Sequence, residues 1–249
     1  MLSRAWERVA AARRAADAVP SPNIWHWPDV YEVENQAQDV TGEIWRTLVE
    51  LVDWSDADVL DIGCGDGFHL RRFAENARRV IGVEPHAPLV RRAAARVADL
   101  STVEALAGSA QRLPLPDNSI DIAHARTAYF FGSGCEPGLA EADRVLRPGG
   151  TLVIVDLDAR HQPYGDWLRA DLPDYDPAGV DAFFAAAGFD CRRVVTTWRF
   201  ARRADFEAVV AIEFSAKVAA RAVAEMPGLT LPVGYRVLSR RKPSGLLLG

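Results

Sequence analysis

Val59-Leu60-Asp61-Ile62-Gly63-Cys64-Gly65-Asp66-Gly67-Phe68 is the stretch on which the fold turns. Val59 to Ile62 is a short apolar run carrying one carboxylate, and it reads as a buried strand. Glycines at every second position from Gly63 to Gly67 then let the backbone turn sharply and come close to a ligand. From Phe68 to Asn76 the spacing is helical. Outward from this strand, turn and helix, the alternation continues: a strand at Val80 to Val83, a helix at Leu89 to Ala98, and a strand near Thr102 to Leu106. A fourth strand, Ile120 to Ala125, follows the turn formers Pro116-Asp117-Asn118-Ser119. A helix at Gly138 to Leu146 stops at Arg147-Pro148-Gly149-Gly150, and a fifth strand covers Thr151 to Leu157. Such alternation predicts an α/β fold with a parallel sheet.

Three features around the glycine turn restrict its ligand. A dinucleotide fingerprint needs a third small residue where helix meets strand, but the register from Gly63 puts Phe68 there and the register from Gly65 puts Leu70. Asp61, just before the turn, repels a phosphate and favours a cation. Glu84 ends the second strand, where a carboxylate accepts hydrogen bonds from both ribose hydroxyls. A nucleoside with a cationic tail satisfies all three.

With those residues in view, the chain resembles the class I S-adenosylmethionine-dependent methyltransferases, in their small-molecule (type 11-like) group. The resemblance is carried by four ordered blocks: Val59 to Gly67, Ile81-Gly82-Val83-Glu84-Pro85, Gly108 to Asp121 and Arg144 to Leu152. Together they span about Trp54 to Leu157. The resemblance implies that Asp61, Gly63 and Gly65 line the methionine part of S-adenosylmethionine and that Glu84, with Pro85 behind it, holds the ribose. It also implies that Ser109, Ala110 and Gln111 flank the adenine and that Ala125 passes near the methionine moiety. Family members commonly carry Asp where this chain has Ser109, a neutral acceptor. The implied fold is a Rossmann-like seven-stranded mixed sheet with helices on both faces, its last strand (Pro232 to Ser239) antiparallel beside the fifth and Cys191 to Trp198 at the edge. The resemblance implies Tyr31 as a donor to the cofactor carboxylate, and it reads equally as an exposed tyrosine.

Acceptor classes narrow after the fourth strand, where the chain reads Ala125-Arg126-Thr127-Ala128-Tyr129-Phe130. The acidic or amide residue and Pro-Pro-aromatic of enzymes that methylate base nitrogens is missing, as are the Pro-Cys nucleophile of cytosine methylation and the paired glutamates of arginine methylation. Cys64, inside the turn, reads as structural. Asp156 and Asp158 follow the fifth strand without a partner carboxylate at Ala125 to Thr127, so no metal site is expected and the two read as solvated strand-end carboxylates. A small organic acceptor, methylated on oxygen or nitrogen, is the remaining class. Methylation of RNA or protein and a non-catalytic cofactor-binding role are the alternatives.

The rest of the 249 residues supplies the acceptor side. Trp25, Trp27, Tyr129 and Phe130 are expected to wall its pocket, with the Trp25/Trp27 pair equally readable as a staple between two N-terminal helices, at Leu2 to Val19 and Val40 to Val52. A helix is expected at Ala178 to Ala187, closed by Gly188, and a single long one at Ala204 to Glu225. Of the five histidines, His26 and His161 lie in irregular segments and are the base candidates. His69, His86 and His124 read as non-catalytic, His124 as a satisfied core residue. The chain reads as one domain over 1–249, with a helical cap at 1–53, a cofactor core at 54–157 and sheet completion with acceptor elements at 158–249. A net charge of -5 offers nothing to DNA or an anionic membrane, and three unpatterned cysteines fit a reducing cytoplasm. No apolar run reaches the roughly 18 residues of a membrane span.

Overall fold

The computed structural model describes residue 18, residues 20–129 and residues 132–245. The expected helix at Leu2 to Val19 and the side chain of Phe130 fall outside the described residues. In chain order the elements are α1 (Pro28–Ala37), α2 (Glu43–Leu51), β1 (Asp58–Ile62), α3 (Leu70–Ala74), β2 (Arg79–Glu84), α4 (Ala87–Arg96), β3 (Val103–Ala107) and β4 (Ile120–Arg126). They continue with α5 (Glu136–Val145), β5 (Leu146–Leu157), α6 (Tyr164–Asp171), α7 (Pro177–Ala186), β6 (Asp190–Arg199), α8 (Arg203–Glu213), α9 (Ala216–Glu225) and β7 (Thr230–Arg241). The sheet has seven strands in the order β3-β2-β1-β4-β5-β7-β6, with the last strand antiparallel. This is the expected Rossmann-like arrangement.

The chain divides into two compact units. One comprises Thr47–Asp156, Val180–Arg192 and the residues from Val237 on; the other comprises the residues up to Arg46, Leu157–Gly179 and Arg193–Arg236.

In the first of these, β1 is buried along its whole length and lies between two parallel neighbours. Leu60 pairs with Ile81 on one side and with Ala123 on the other. A strand buried on both faces has no solvent face, which is why Val59 to Ile62 shows no alternation. The strand order reverses between β1 and β4, and at such a reversal the carboxyl ends of the strands open into a crevice. The opposite end of β1 is clamped by charge. Asp58 accepts from Arg78 Nε at 3.1 Å and from Arg147 Nη2 at 2.9 Å, and Arg147 also reaches Asp121 at 2.6 Å. These guanidiniums hold the Asp58 carboxyl below its ordinary range despite partial burial.

The other unit is built on aromatic packing. Tyr164 lies 5.3 Å from Trp198 and 5.2 Å from Phe214, and Phe200 lies 5.3 Å from Phe206, ring centre to ring centre. Buried indoles keep partners, as their N–H groups require: Trp198 donates to Tyr235 Oη at 3.1 Å, and Trp167 donates to Glu225 at 2.6 Å. Asp39 adopts a positive φ of 49° and accepts from the N–H groups of Ile44 and Trp45, which starts α2 at Glu43 rather than at Val40.

Four local expectations are corrected. The long helix at Ala204 to Glu225 is two helices, because Phe214 is extended and Ser215 caps the second: its Oγ accepts from Val218 N–H and its own N–H donates to Asp171 at 2.8 Å. Ala-rich periodicity runs through this break unmarked. The fifth strand begins at Leu146, not Thr151, because Arg147-Pro148-Gly149-Gly150 forms an irregularity in the β4 ladder while Gly149 and Gly150 pair with Lys242. Helix α1 stands where no helix was expected, opened by Pro28, a residue suited to a first helical turn. Helix α6 likewise forms within the segment between Asp158 and Pro177 that read as loose.

Candidate functional site

The carboxyl end of β1 turns at Gly63, Gly65 and Gly67, all with positive φ, of 71°, 57° and 82°. Gly63 is the position where glycine is required most clearly. A Cβ there would lie 3.2 Å from Ala128 Cβ, so the turn packs against the segment after β4 as well as adopting a left-handed conformation. On β2, a Cβ at Gly82 would meet Cys64 Sγ at 2.7 Å. Cys64 fills the space that glycine leaves. Burial, reinforced by the charges of Asp61 and Glu84, raises its thiol pKa well above the ordinary value and keeps it protonated. It is an inert packing residue.

Glu84, at the end of β2, is buried and holds the turn in place. Its Oε2 accepts from Gly65 N–H at 3.2 Å and its Oε1 from His86 N–H at 2.9 Å. Each carboxylate oxygen can accept more than one hydrogen bond, so capacity for ligand hydroxyls is left over. Asp61, 2% exposed, is paired: its Oδ1 lies 2.7 Å from His124 Nδ1. Asp66, also buried, is held by Arg96 at 2.8 Å, and the Arg96 guanidinium lies 5.6 Å from the centre of the Phe68 ring. Pro85 is exposed beside Glu84.

After β3, Ser109 is buried and Gln111 half-buried, and neither Ser109 Oγ nor Gln111 Oε1 has a hydrogen-bond partner among the described residues. Buried acceptors without partners are rare in folded chains, and a donor from a ligand satisfies them. Ala110 lies between them, half-buried, and Ala125 is wholly buried in β4. Asp61, Gly63, Gly65, Glu84, Ser109, Gln111 and Ala125 all belong to one unit. Carboxylates for a cation and for ribose hydroxyls, a cradle of glycines and orphaned acceptors for an amino group form a donor and acceptor set that fits S-adenosylmethionine.

Tyr129 belongs to the same unit but is buried, with its hydroxyl donating to the Gly138 carbonyl at 3.3 Å. His69, expected inside the first helix, stands just ahead of α3, and burial pushes its pKa well below the ordinary histidine value, so it is neutral. Asp156 and Asp158 are not solvated. Asp156 is wholly buried, and Asp158 is buried, accepting from Arg193 Nε at 3.0 Å. Among the described residues, no group of three or more His, Cys, Asp or Glu side chains is arranged to hold a metal ion.

The remaining expected residues lie in the other unit. His26 and Trp27 are exposed and meet edge to face at 5.7 Å, Trp25 is half-buried, and Tyr31 sits half-buried on α1. His161 is half-buried and packs on Gly234, where an added Cβ would clash with its own Cβ. This unit also contains a buried polar cluster that no sequence motif announces. Glu213 accepts from Asn23 Nδ2 and from Tyr164 Oη at 3.0 Å and lies beside Glu34, whose Oε1 takes Gln38 Nε2 at 2.8 Å.

The sequence profile described as a methyltransferase domain matches residues 60–154, the span holding the glycine turn, Glu84 and the orphaned acceptors. Residues 60–154 are thus a methyltransferase domain of the class I type, whose cofactor is S-adenosylmethionine. A malonyl-[acyl-carrier protein] O-methyltransferase of Serratia marcescens is 33% identical over 115 residues, which are 45% of this chain and 44% of that one. The solved structure of YcgJ from Bacillus subtilis matches with a TM-score of 0.59 at 20% identity, over 80% of this chain and 98% of that one. The [4+2]-cyclase SpnF matches with a TM-score of 0.55 at 26% identity, over 80% of each chain. The chain spans 32%, 65% and 65% of the length of three curated relatives that it matches. Among the described residues, no helix is long and apolar enough to cross a membrane.

Proposed function

We propose that this chain is a cytoplasmic enzyme that transfers the methyl group of S-adenosylmethionine to an oxygen or nitrogen of a small organic molecule, in specialised metabolism. The observation that carries the reading is the pair of buried strand-end carboxylates, Asp61 and Glu84, on either side of a glycine turn. Bound there, the cofactor supplies an electrophilic sulfonium methyl. The chain's own residues do the rest by orientation and exclusion of water. Asp61 balances the positive charge of the amino-acid end. Glu84 takes the ribose hydroxyls while its bonds to Gly65 and His86 fix the turn. Ser109 Oγ and Gln111 Oε1 accept from the adenine amino group, and Tyr31 donates to the cofactor carboxylate. Trp25 and Trp27 wall the acceptor, and His26 or His161 removes its proton. A net charge of -5 supports a small acceptor over a nucleic acid.

The test begins with calorimetric titration of S-adenosylmethionine and S-adenosylhomocysteine into the purified chain, followed by incubation with panels of small alcohols, acids and amines, with RNA and protein as comparison substrates. Formation of S-adenosylhomocysteine with the small panel alone is expected; turnover with RNA or protein alone overturns the acceptor assignment. The SpnF likeness supports a second reading, in which the cofactor is bound but not consumed. That reading predicts tight binding with no S-adenosylhomocysteine formed from any panel.

A further inference from the structure

We propose that His124 is a positioning residue, whose ring holds one oxygen of Asp61 and leaves the other to take the cationic amino-acid end of the cofactor. The inference rests on the cofactor assignment made above.

Its geometry is set by the sheet. Asp61 and His124 are register partners across β1 and β4, so their side chains leave the same face of neighbouring parallel strands. Each is 2% exposed, and Asp61 Oδ1 lies 2.7 Å from His124 Nδ1. A carboxylate only accepts, so Nδ1 carries the hydrogen. The imidazole is itself held from behind. Phe73 packs on it at 5.0 Å and His69 at 6.5 Å between ring centres, and Trp54 backs Phe73 at 5.5 Å. His69 is neutral, so no second positive charge enters this packing.

His124 Nδ1 occupies Oδ1 of Asp61, so Oδ2 keeps its capacity to accept from a ligand. A charged donor there strengthens the arrangement around a carboxylate that is almost wholly buried. The cofactor's amino-acid end carries such a donor, an ammonium group. His124 has no comparable reason to touch the methyl acceptor: it lies inside a buried strand, against Asp61 and the rings of Phe73 and His69. Its action is therefore through Asp61.

The experiment separates the two ends of the ligand. S-adenosylhomocysteine has both the nucleoside and the amino-acid end, whereas 5′-methylthioadenosine has only the nucleoside. His124→Phe removes the donor but keeps an aromatic ring against Phe73, and His124→Asn restores a donor without a ring. Titrated by calorimetry, His124→Phe is expected to weaken S-adenosylhomocysteine about tenfold and to change 5′-methylthioadenosine by less than about twofold, with His124→Asn recovering much of the loss. Equal losses for both ligands, or none for either, overturn the proposal. If the unaltered chain binds neither ligand, the cofactor assignment itself falls, and this inference with it.

Discussion

One cluster of buried carboxylates in each unit is held by means opposite to the other's. Around the glycine turn, every buried acid meets a donor suited to a full negative charge: His124 for Asp61, Arg96 for Asp66, and two backbone N–H groups for Glu84. In the aromatic unit, Glu213 meets Asn23 and Tyr164, which are neutral donors, and Glu34, which is another carboxyl. Loss of water around Glu213 outweighs these contacts and raises its pKa. Placement alone therefore does not make a buried acid a ligand site. The first set is met by donors suited to a carboxylate and can be joined by a cation, whereas the second is met by neutral groups and another carboxyl and serves as internal packing.

Removing the most heavily used acid is the severest way to break this contrast. Glu84→Ala strips acceptors from Gly65 and His86 as well as from the cofactor's ribose, and S-adenosylhomocysteine affinity is expected to fall about a hundredfold by calorimetry. The equivalent removal at Glu213 is expected to leave that affinity within about threefold. Next in size are the base candidates. His161→Ala or His26→Ala is expected to lower kcat about tenfold at saturating cofactor without changing cofactor affinity. If neither does, proximity alone or another base carries the proton. Trp27→Ala is expected to raise the acceptor KM severalfold, about 1 kcal/mol of lost contact, with cofactor binding unchanged.

How far these outcomes were legible in advance depends on the distance over which each feature is encoded. The β1 strand, glycine turn and α3 are contiguous, so Val59 to Phe68 disclosed them together with the class of ligand. The Asp61–His124 pair was not legible, because its partners lie 63 residues apart and meet only through the register of β1 against β4. His124 could be read as a satisfied core histidine, but not by what it was satisfied. The Glu213 cluster was more remote still. Asn23 and Glu213 are 190 residues apart, and neither sits in a motif, so only tertiary packing brings them together. Alanine-rich spacing hid the break at Phe214 for a related reason: Ser215 ends the periodicity through a cap and a bond to Asp171, both invisible to hydrophobic pattern.

The raised pKa of Glu213 gives the contrast a pH signature. Its folded pKa is raised, so the folded chain keeps a proton there that the unfolded chain releases. Stability therefore falls as pH rises from the ordinary glutamate value of 4.5 toward the folded value and is level above it. The groups around Glu213 are Glu34 on α1, Asn23 ahead of it and Tyr164 on α6, with Tyr235 beside Tyr164. Glu213→Gln is expected to flatten that part of the thermal unfolding profile; an unchanged slope breaks the comparison. The smallest effect expected is at the surface. Arg71→Ala loses an exposed pair with Asp99, and its midpoint in denaturant titration is expected to stay nearly unchanged.

The close approach of Gly82 to Cys64 has an evolutionary consequence. A methyl group added at Gly82 collides with Cys64 Sγ, with Cys64 Cβ at 3.0 Å and with Leu70 at 3.0 Å. Alanine at Gly82 is thus admissible only after Cys64 and Leu70 have become smaller, and a larger residue at Cys64 only while position 82 lacks a side chain. The order in which these three positions can change is constrained, because side chains at positions 82, 64 and 70 compete for one space beside the turn.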